Sequence, residues 1–358
     1  MSNLLVTGAA GFIGSNFVHY WHKRSPQDTI VVLDALTYAG CKLSLDSYEG
    51  ADWYIFVKGS VCDQALVDSL LRKHRINIIV NFAAESHVDR SISAPDKFID
   101  TNIVGTHVLL KAAREFWMDR GREERHLFHH VSTDEVYGSL AQSDAPFTES
   151  TPYMPSSPYA ASKAASDHLA RAYHQTYGLN VTTSNCSNNY GPYQFPEKLI
   201  PLCLVNILKG KPLPIYGDGK QIRDWLFVED HVRGIELIIR NGCHGETYNI
   251  GGNNEWTNID VVKLLCSIVD QRFAGSAELA ARFPGSPCAN ATSARSLINY
   301  VKDRPGHDTR YAIDARKIMT ELGYQPSEDF ESGLNKTVDW YLANEAWWEA
   351  ILDGSTRA

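Results

Sequence analysis

A glycine-punctuated turn near the start of the chain limits the available folds more than any other stretch. Leu4-Leu5-Val6 is an apolar run of strand length, and Thr7-Gly8-Ala9-Ala10-Gly11-Phe12-Ile13-Gly14-Ser15 leads from it into an amphipathic segment reaching about Lys23. Glycines spaced three apart allow a tight turn, close approach of backbone amides to a pyrophosphate, and close packing of helix on strand. Alone, such a run is weak evidence. Here a second apolar run, Ile30-Val31-Val32-Leu33, ends in Asp34, 20 residues after Gly14, where a carboxylate would reach adenosine ribose hydroxyls. Asp34 can also be read as a turn residue at a strand end. Ala35 follows it, so a 2′-phosphate would meet no cation there, and the expected cofactor is NAD, not NADP.

This opening predicts an α/β fold, a Rossmann-type doubly wound parallel sheet, joined to a smaller, mostly helical C-terminal substrate-binding lobe. Further strands are expected at 54–57, 76–80, 127–131 and 181–186, and helices at 64–73, 101–116 and 159–177. Val104, Val108, Leu109 and Ala112 would share the apolar face of the second helix, and 118–125 reads as a charged surface loop. After Pro192 the prolines multiply. A strand at 224–228 and a helix at 232–240 read as a return to the first domain, and a last helix is expected at 330–342. The expected domains are 1–190 with about 224–245 for NAD, and 191–223 with 246–358 for the substrate.

Composition removes several classes of function. At 358 residues, 44% apolar and 21% charged, the chain has the make-up of a soluble globular protein of one large or two joined domains. A net charge of −8 argues against a nucleic-acid partner, although a few local cations can still hold a phosphate. Seven scattered cysteines without a C-x-x-C pair form neither a disulfide framework nor a zinc pattern, so no metal is expected and a reducing compartment is. The first strand leaves no room for a signal peptide, and no apolar run nears the roughly 18 residues needed to span a membrane. The expectation is a cytoplasmic protein without a membrane partner.

Chemistry concentrates where the strand at 127–131 runs on into Ser132-Thr133-Asp134-Glu135. Ligands of open parallel sheets bind beyond the carboxyl ends of the strands. Two acids there suggest more than redox chemistry, one acting as acid and the other as base if the site holds their proton affinities apart. Tyr159 and Lys163 stand one helical turn apart, and a nearby ammonium lowers a phenol's pKa toward neutrality. Tyr153 lacks such a partner, since Ser157 stands four residues beyond it. In the loop 81–90 the small residues would let backbone lie against a cofactor, while His87 and Asp89 read as structural.

Taken in order, these motifs resemble the extended short-chain dehydrogenase/reductases, and within them the nucleotide-sugar 4,6-dehydratases. The resemblance is carried by T-G-A-A-G-F-I-G-S, L-T-Y-A-G (36–40), A-A-E-S-H-V-D-R-S (83–91), S-T-D-E-V-Y-G (132–138) and Y-A-A-S-K-A (159–164). It continues through N-N-Y-G-P-Y-Q-F-P-E-K-L-I-P (188–201), R-D-W-L-F-V-E-D-H (223–231), D-R-P-G-H-D (303–308) and R-Y-A-I-D (310–314). Two positions depart from the family pattern: Ser60 stands where an aspartate is usual, and Ala35 where a lysine often follows the cofactor acid.

The resemblance implies a tightly bound NAD regenerated in every cycle, a dTDP-linked glucose as substrate, and a homodimer joined by helices near 101–117 and 159–177. It implies cofactor contacts from Gly8, Gly11, Phe12, Ile13, Gly14, Asp34, Ala35, Leu36, Thr37, Ser60, Val61, Phe82, Ala83, Ala84, Ser86, Thr101, Tyr159, Lys163 and Asn189. Substrate contacts are implied from Ser86, Thr133, Asn188, Lys198, Leu199, Pro214, Tyr216, Arg223, Asn258, Arg304 and His307; the role of Glu197 stays open. In the implied reaction Tyr159, supported by Lys163 and Thr133, takes the 4-hydroxyl proton as hydride leaves C4. Glu135 then removes the C5 proton, Asp134 protonates the departing 6-hydroxyl, and hydride returns to C6. Three alternatives stand beside it: the same dehydration on a UDP-linked sugar, a nucleotide-sugar 4-epimerase, and a non-catalytic NAD-binding sensor.

Overall fold

The computed structural model describes residues 1–118, 125–303 and 308–354. Strands β1 (Asn3–Thr7), β2 (Thr29–Asp34), β3 (Tyr54–Lys58), β4 (Ile78–Asn81), β5 (Leu127–Thr133) and β6 (Val181–Cys186) lie parallel in one sheet. Their continuous apolar runs suit strands covered on both faces. Leu4 and Val6 of β1 pack into the core on one face, and Leu5 into the core on the other, the alternation of a pleated strand. Covering helices α1 (Phe12–Arg24), α2 (Gln64–Lys73), α3 (Val88–Ser93), α4 (Asp96–Phe98), α5 (Thr106–Trp117) and α6 (Pro158–Tyr177) come from the connections.

Beyond β6 the chain forms β7 (Asn188–Tyr190), α7 (Leu199–Leu208), β8 (Leu213–Tyr216), β9 (Ile222–Phe227), α8 (Val228–Asn241), β10 (Thr247–Ile250) and β11 (Glu255–Thr257). Then come α9 (Asn258–Phe273), α10 (Ala277–Arg282), β12 (Ile298–Val301), α11 (Arg316–Leu322), α12 (Phe330–Ala343) and α13 (Glu345–Leu352). The large sheet runs β10-β6-β5-β4-β1-β2-β3, so the strand order reverses between β1 and β4. That reversal is where a doubly wound sheet opens a crevice for a ligand.

Two expectations are corrected. The strand near 224 does not return to the large sheet: β9 pairs with β7 in parallel and with β11 antiparallel. The seventh strand is β10, against β6. Aromatic packing accounts for this, because Trp225 and Phe227 of β9 sit in the C-terminal core with Tyr190 and Phe330. The helix expected at 101–116 begins instead as a π-helix over Ile99–Gly105. Its wider turn carries Asn102 inside and leaves Val104 43% exposed, off the apolar face that Val108, Leu109 and Ala112 do form. Asn102 spans two elements from there. Its amide exchanges hydrogen bonds with the Glu85 backbone at 2.9 and 3.0 Å and donates to Ser162 Oγ at 2.8 Å.

Among the described residues no helix is long and apolar enough to cross a membrane. Most of the expected charged loop at 118–125 lies outside the described residues, as do Arg304 and His307.

The glycine turn is also a packing device. Gly8 has φ +67, and a Cβ there would stand 2.7 Å from the Ala83 backbone. Gly8→Ala is therefore expected to cost about 2 kcal/mol or more through backbone strain and collision. Equilibrium urea unfolding reads this directly, and an unchanged midpoint would refute the close approach.

Candidate active site

At the carboxyl end of β1 the first-turn N–H groups of α1 have no partner inside their helix, the donor set that a pyrophosphate takes. A Cβ at Gly14 would meet the Gly8 carbonyl at 2.6 Å, so turn and helix are in close contact. Asp34 is held rather than left as a loose turn residue: its carboxyl oxygens accept from Ala10 N at 2.9 Å and Leu36 N at 2.8 Å. Both oxygens keep a lone pair for ribose hydroxyls. Phe82 and Ala83 are tied to β1, with amides donating to Thr7 O at 3.1 Å and Thr7 Oγ1 at 3.3 Å. Ser60 Oγ accepts from Cys62 N at 3.1 Å, Val61 is buried against Gly105, and the Thr37 hydroxyl bonds Glu85. These residues fit a dinucleotide.

The catalytic candidates converge at the end of β5. Thr133 caps the turn over Asp134–Tyr137, its Oγ1 accepting from Glu135 N at 3.3 Å. Asp134 is buried with Oδ2 unpartnered, and burial, then Glu135 and Asp224, hold its carboxyl well above the usual carboxylate range. Glu135, the next residue, is only half-buried. Adjacent acids thus have unlike surroundings, which is how one protein keeps an acid beside a base. Tyr159 and Lys163 project from α6 into the same place, and the phenol's partner there is the Thr133 hydroxyl.

The expected lowering of the Tyr159 phenol by Lys163 is not found in the protein alone. Burial, then Glu135, Cys186 and Asp134, push the phenol well above its ordinary value. The Lys163 ammonium is engaged elsewhere, with Nζ donating to Val131 O at 2.7 Å. A buried phenol beside carboxylates needs further positive charge to ionise.

The residues suggested for substrate fall into three groups. Arg223 belongs with the catalytic cluster: its guanidinium lies 4.4 Å over the Tyr311 ring, donates to Asp308 O at 2.9 Å, and acts electrostatically on Asp134. Asn188, with its buried Oδ1 lacking a partner, and Asn189, whose Oδ1 meets His231 Nδ1 at 2.9 Å, follow β6 in the short β7. A second group bridges the lobes, where Lys198 Nζ donates to Ser86 O at 3.3 Å and Leu199 opens α7. Here Glu197 lies 3.6 Å from His87 and 3.8 Å from Arg90, which covers the Tyr38 ring at 3.8 Å. Pro214, Tyr216 and Asn258 form the third group, on β8 and at the start of α9. Ala84 lies between these elements in the loop after β4, and Thr101 in the π-helix. Tyr311 and Asp224 lie within the 310–314 and 223–231 motifs, but nothing local in the sequence places them, or Cys186, at the cluster.

Sheet order, glycine cradle and the Tyr159–Lys163 pair define a dinucleotide-dependent enzyme of the extended short-chain dehydrogenase/reductase class. The chain belongs to the family described as GDP-mannose 4,6 dehydratase, whose model matches residues 5–337. It is 55% identical to a dTDP-glucose 4,6-dehydratase of Xanthomonas campestris pv. campestris, over 100% of this chain and 98% of that one. Among solved structures it resembles dTDP-glucose 4,6-dehydratase from Bacillus anthracis in complex with NAD, with 44% identity, a TM-score of 0.83, and coverage of 98% of this chain and 100% of that chain. It also resembles the UDP-glucose 4-epimerase of Thermotoga maritima with UDP-glucose, at 26% identity and TM-score 0.81, covering 96% and 99%.

The raised Asp134 carboxyl has a consequence for stability. The fold keeps a proton there that the unfolded chain releases, so this contribution is full below the ordinary carboxyl value and is lost as pH rises through the raised one. Asp134→Asn should therefore gain thermal stability over the parent progressively as pH climbs above the ordinary carboxyl value of about 4. A Tm difference that stays constant with pH would remove the protonated-acid assignment.

Proposed function

We propose that this chain converts dTDP-glucose into dTDP-4-keto-6-deoxy-glucose and water, a hydro-lyase reaction run on tightly held NAD. The observation that carries this reading is the unlike pair at the end of β5, a buried acid at Asp134 beside a half-buried carboxyl at Glu135. A 4-epimerase of the same fold has use for Tyr159 and Lys163 but none for a proton donor at C6. A sensor needs neither. The dTDP-linked substrate follows the named relatives, and a UDP-linked sugar is the alternative to test against it.

NAD would be held by the Gly8–Gly14 turn and Asp34, and when bound would supply hydride storage between C4 and C6 and a positive charge that favours the Tyr159 phenolate. Tyr159 takes the proton of the 4-hydroxyl, with Lys163 and the Thr133 hydroxyl beside it. The ketone formed at C4 acidifies the C5 hydrogen, which Glu135 removes. Asp134 gives its proton to the C6 hydroxyl, which leaves as water, and Glu135 returns its proton to C5. Tyr159 ends this sequence one proton richer and Asp134 one poorer. Thr133 Oγ1, 3.4 Å from Asp134 Oδ1 and bonded to the phenol, offers the short route that resets both. Lys198 and Arg223, with Arg304, are the cations assigned to the substrate's diphosphate.

The chain is also read as a cytoplasmic homodimer. All seven cysteines are free, which suits a reducing compartment. Large apolar side chains are exposed along α3, the π-helix and the end of α6, with Ile92 at 57%, Ile99 at 46% and both Val104 and Tyr177 at 43%. Such a surface fits a pairing face. Charging it with Ile99→Asp and Val104→Asp together should halve the mass measured by light scattering; an unchanged mass would place any interface elsewhere.

Mass spectrometry of products from dTDP-glucose and UDP-glucose, assayed side by side, tests the function itself. Loss of 18 mass units from the dTDP sugar is the expected result (~18 for one water), and a mass-neutral product would favour the epimerase. Glu135→Gln should still bind dTDP-glucose yet yield less than about 1% of the product, the scale of losing a general base. Full turnover would take Glu135 out of the reaction.

A further inference from the structure

Behind Lys163 lies a dense cluster of buried polar side chains, centred on Asp167. Asp167 follows Lys163 by one turn of α6, as Lys163 follows Tyr159, so the three share one stripe of the helix. It is 5% exposed, and its Oδ2 accepts from Ser132 Oγ at 2.9 Å and from the Tyr153 hydroxyl at 3.0 Å. Oδ1 stands 3.2 Å from His130 Nε2, off the line of a full hydrogen bond. Asn81 settles which ring nitrogen carries the proton. Its Oδ1 takes the Thr7 hydroxyl at 2.6 Å, which turns Nδ2 toward His130 Nδ1 at 3.3 Å. Nδ1 is therefore an acceptor, and the His130 proton sits on Nε2, facing Asp167.

The groups facing this carboxylate are Lys163 from α6, His130 and Ser132 from β5, Tyr137 from the turn after β5, and Tyr153 from the segment before α6. His168 of α6 packs against the Tyr153 ring, and Cys186 of β6 acts electrostatically on Lys163. His130 is kept neutral by burial and by the Lys163 charge. Lys163 is left as the cation of the group. Burial works against its charge, and Asp167 is the first of the neighbours that work for it. The network is not a proton path, because Asn185, which donates to Tyr137 at 3.0 Å and Tyr153 at 3.1 Å, links the two hydroxyls through an amide. It holds a charge in place.

We propose that Asp167 is a positioning residue, the buried counter-charge that keeps Lys163 an ammonium on the Val131 carbonyl and thereby holds Tyr159 ready to give up its proton. The proposal rests on reading Tyr159 and Lys163 as the proton-abstracting pair. Its first readout does not depend on turnover. In protein carrying 15N-lysine, the Lys163 Nζ resonance is assigned by its disappearance in Lys163→Arg and then titrated by NMR. In Asp167→Asn, Lys163 should lose its proton about one pH unit or more lower than in the parent, the scale of a neighbouring opposite charge. Tyr153→Phe removes a donor while leaving the charge, and should move the same titration upward; it carries the test if Asp167→Asn does not fold. In parallel, the alkaline limb of the kcat–pH profile should follow the NMR shift in each variant. A Lys163 titration unmoved in the variants, or kcat lowered equally at every pH, overturns the proposal. Failure of the parent to turn over dTDP-glucose would overturn the functional reading, with the NMR result still deciding the role of Asp167.

Discussion

Thr7 at the end of β1, Asn81 at the end of β4, His130 in β5 and Asp167 on α6 form a single line of buried polar contacts across the sheet. Every member is at most 5% exposed, so none can trade its partner for water without penalty. The line therefore constrains register. A strand slipped by one residue would turn His130 to the opposite face, leaving Asn81 and Asp167 buried without it. Thr7 closes the glycine turn and also receives the Ala83 amide, so the same contacts that align the strands seat the cofactor loop and the catalytic helix. His129, one residue away, points to the opposite face and is satisfied separately by Thr182 and Ser184.

Dryness does the remaining chemical work. Asp134 and Glu135 are neighbours in the chain, yet one is buried and the other half-buried, and burial first of all holds the Asp134 carboxyl well above the usual carboxylate range. The same burial suppresses reactivity where it has no use. The Cys186 thiol, beside Tyr159 and Lys163, is pushed far above its ordinary value, and His129 and His231 are lowered to about 3.

The C-terminal lobe completes this arrangement through its own aromatic core. Tyr190, Trp225, Phe227 and Phe330 draw β7 and β9 away from the large sheet into a second, small one. That placement sets Arg223 and Asp224, at the base of β9, against Asp134 from outside the Rossmann unit. Asp224 is in turn fixed by the amides of Gly252 and Asn254. Both lobes therefore set the electrostatics of one carboxyl.

Local sequence determined the first half of the fold and pointed to the acids and the phenol. A strand, a glycine turn, a helix and a terminal aspartate are all short-range patterns, and period and spacing reveal them without reference to the rest of the chain. The tertiary structure alone decided which strand closes the sheet at β10, why Asn102 turns inward on a π-helix, and that Asp167, Tyr311 and Asp224 belong around the site. These depend on interactions between residues as far as 176 positions apart, such as Glu135 with Tyr311. It also decided the charge on Tyr159, because a proton's affinity is set by burial and by every nearby charge, and no spacing along the chain encodes either.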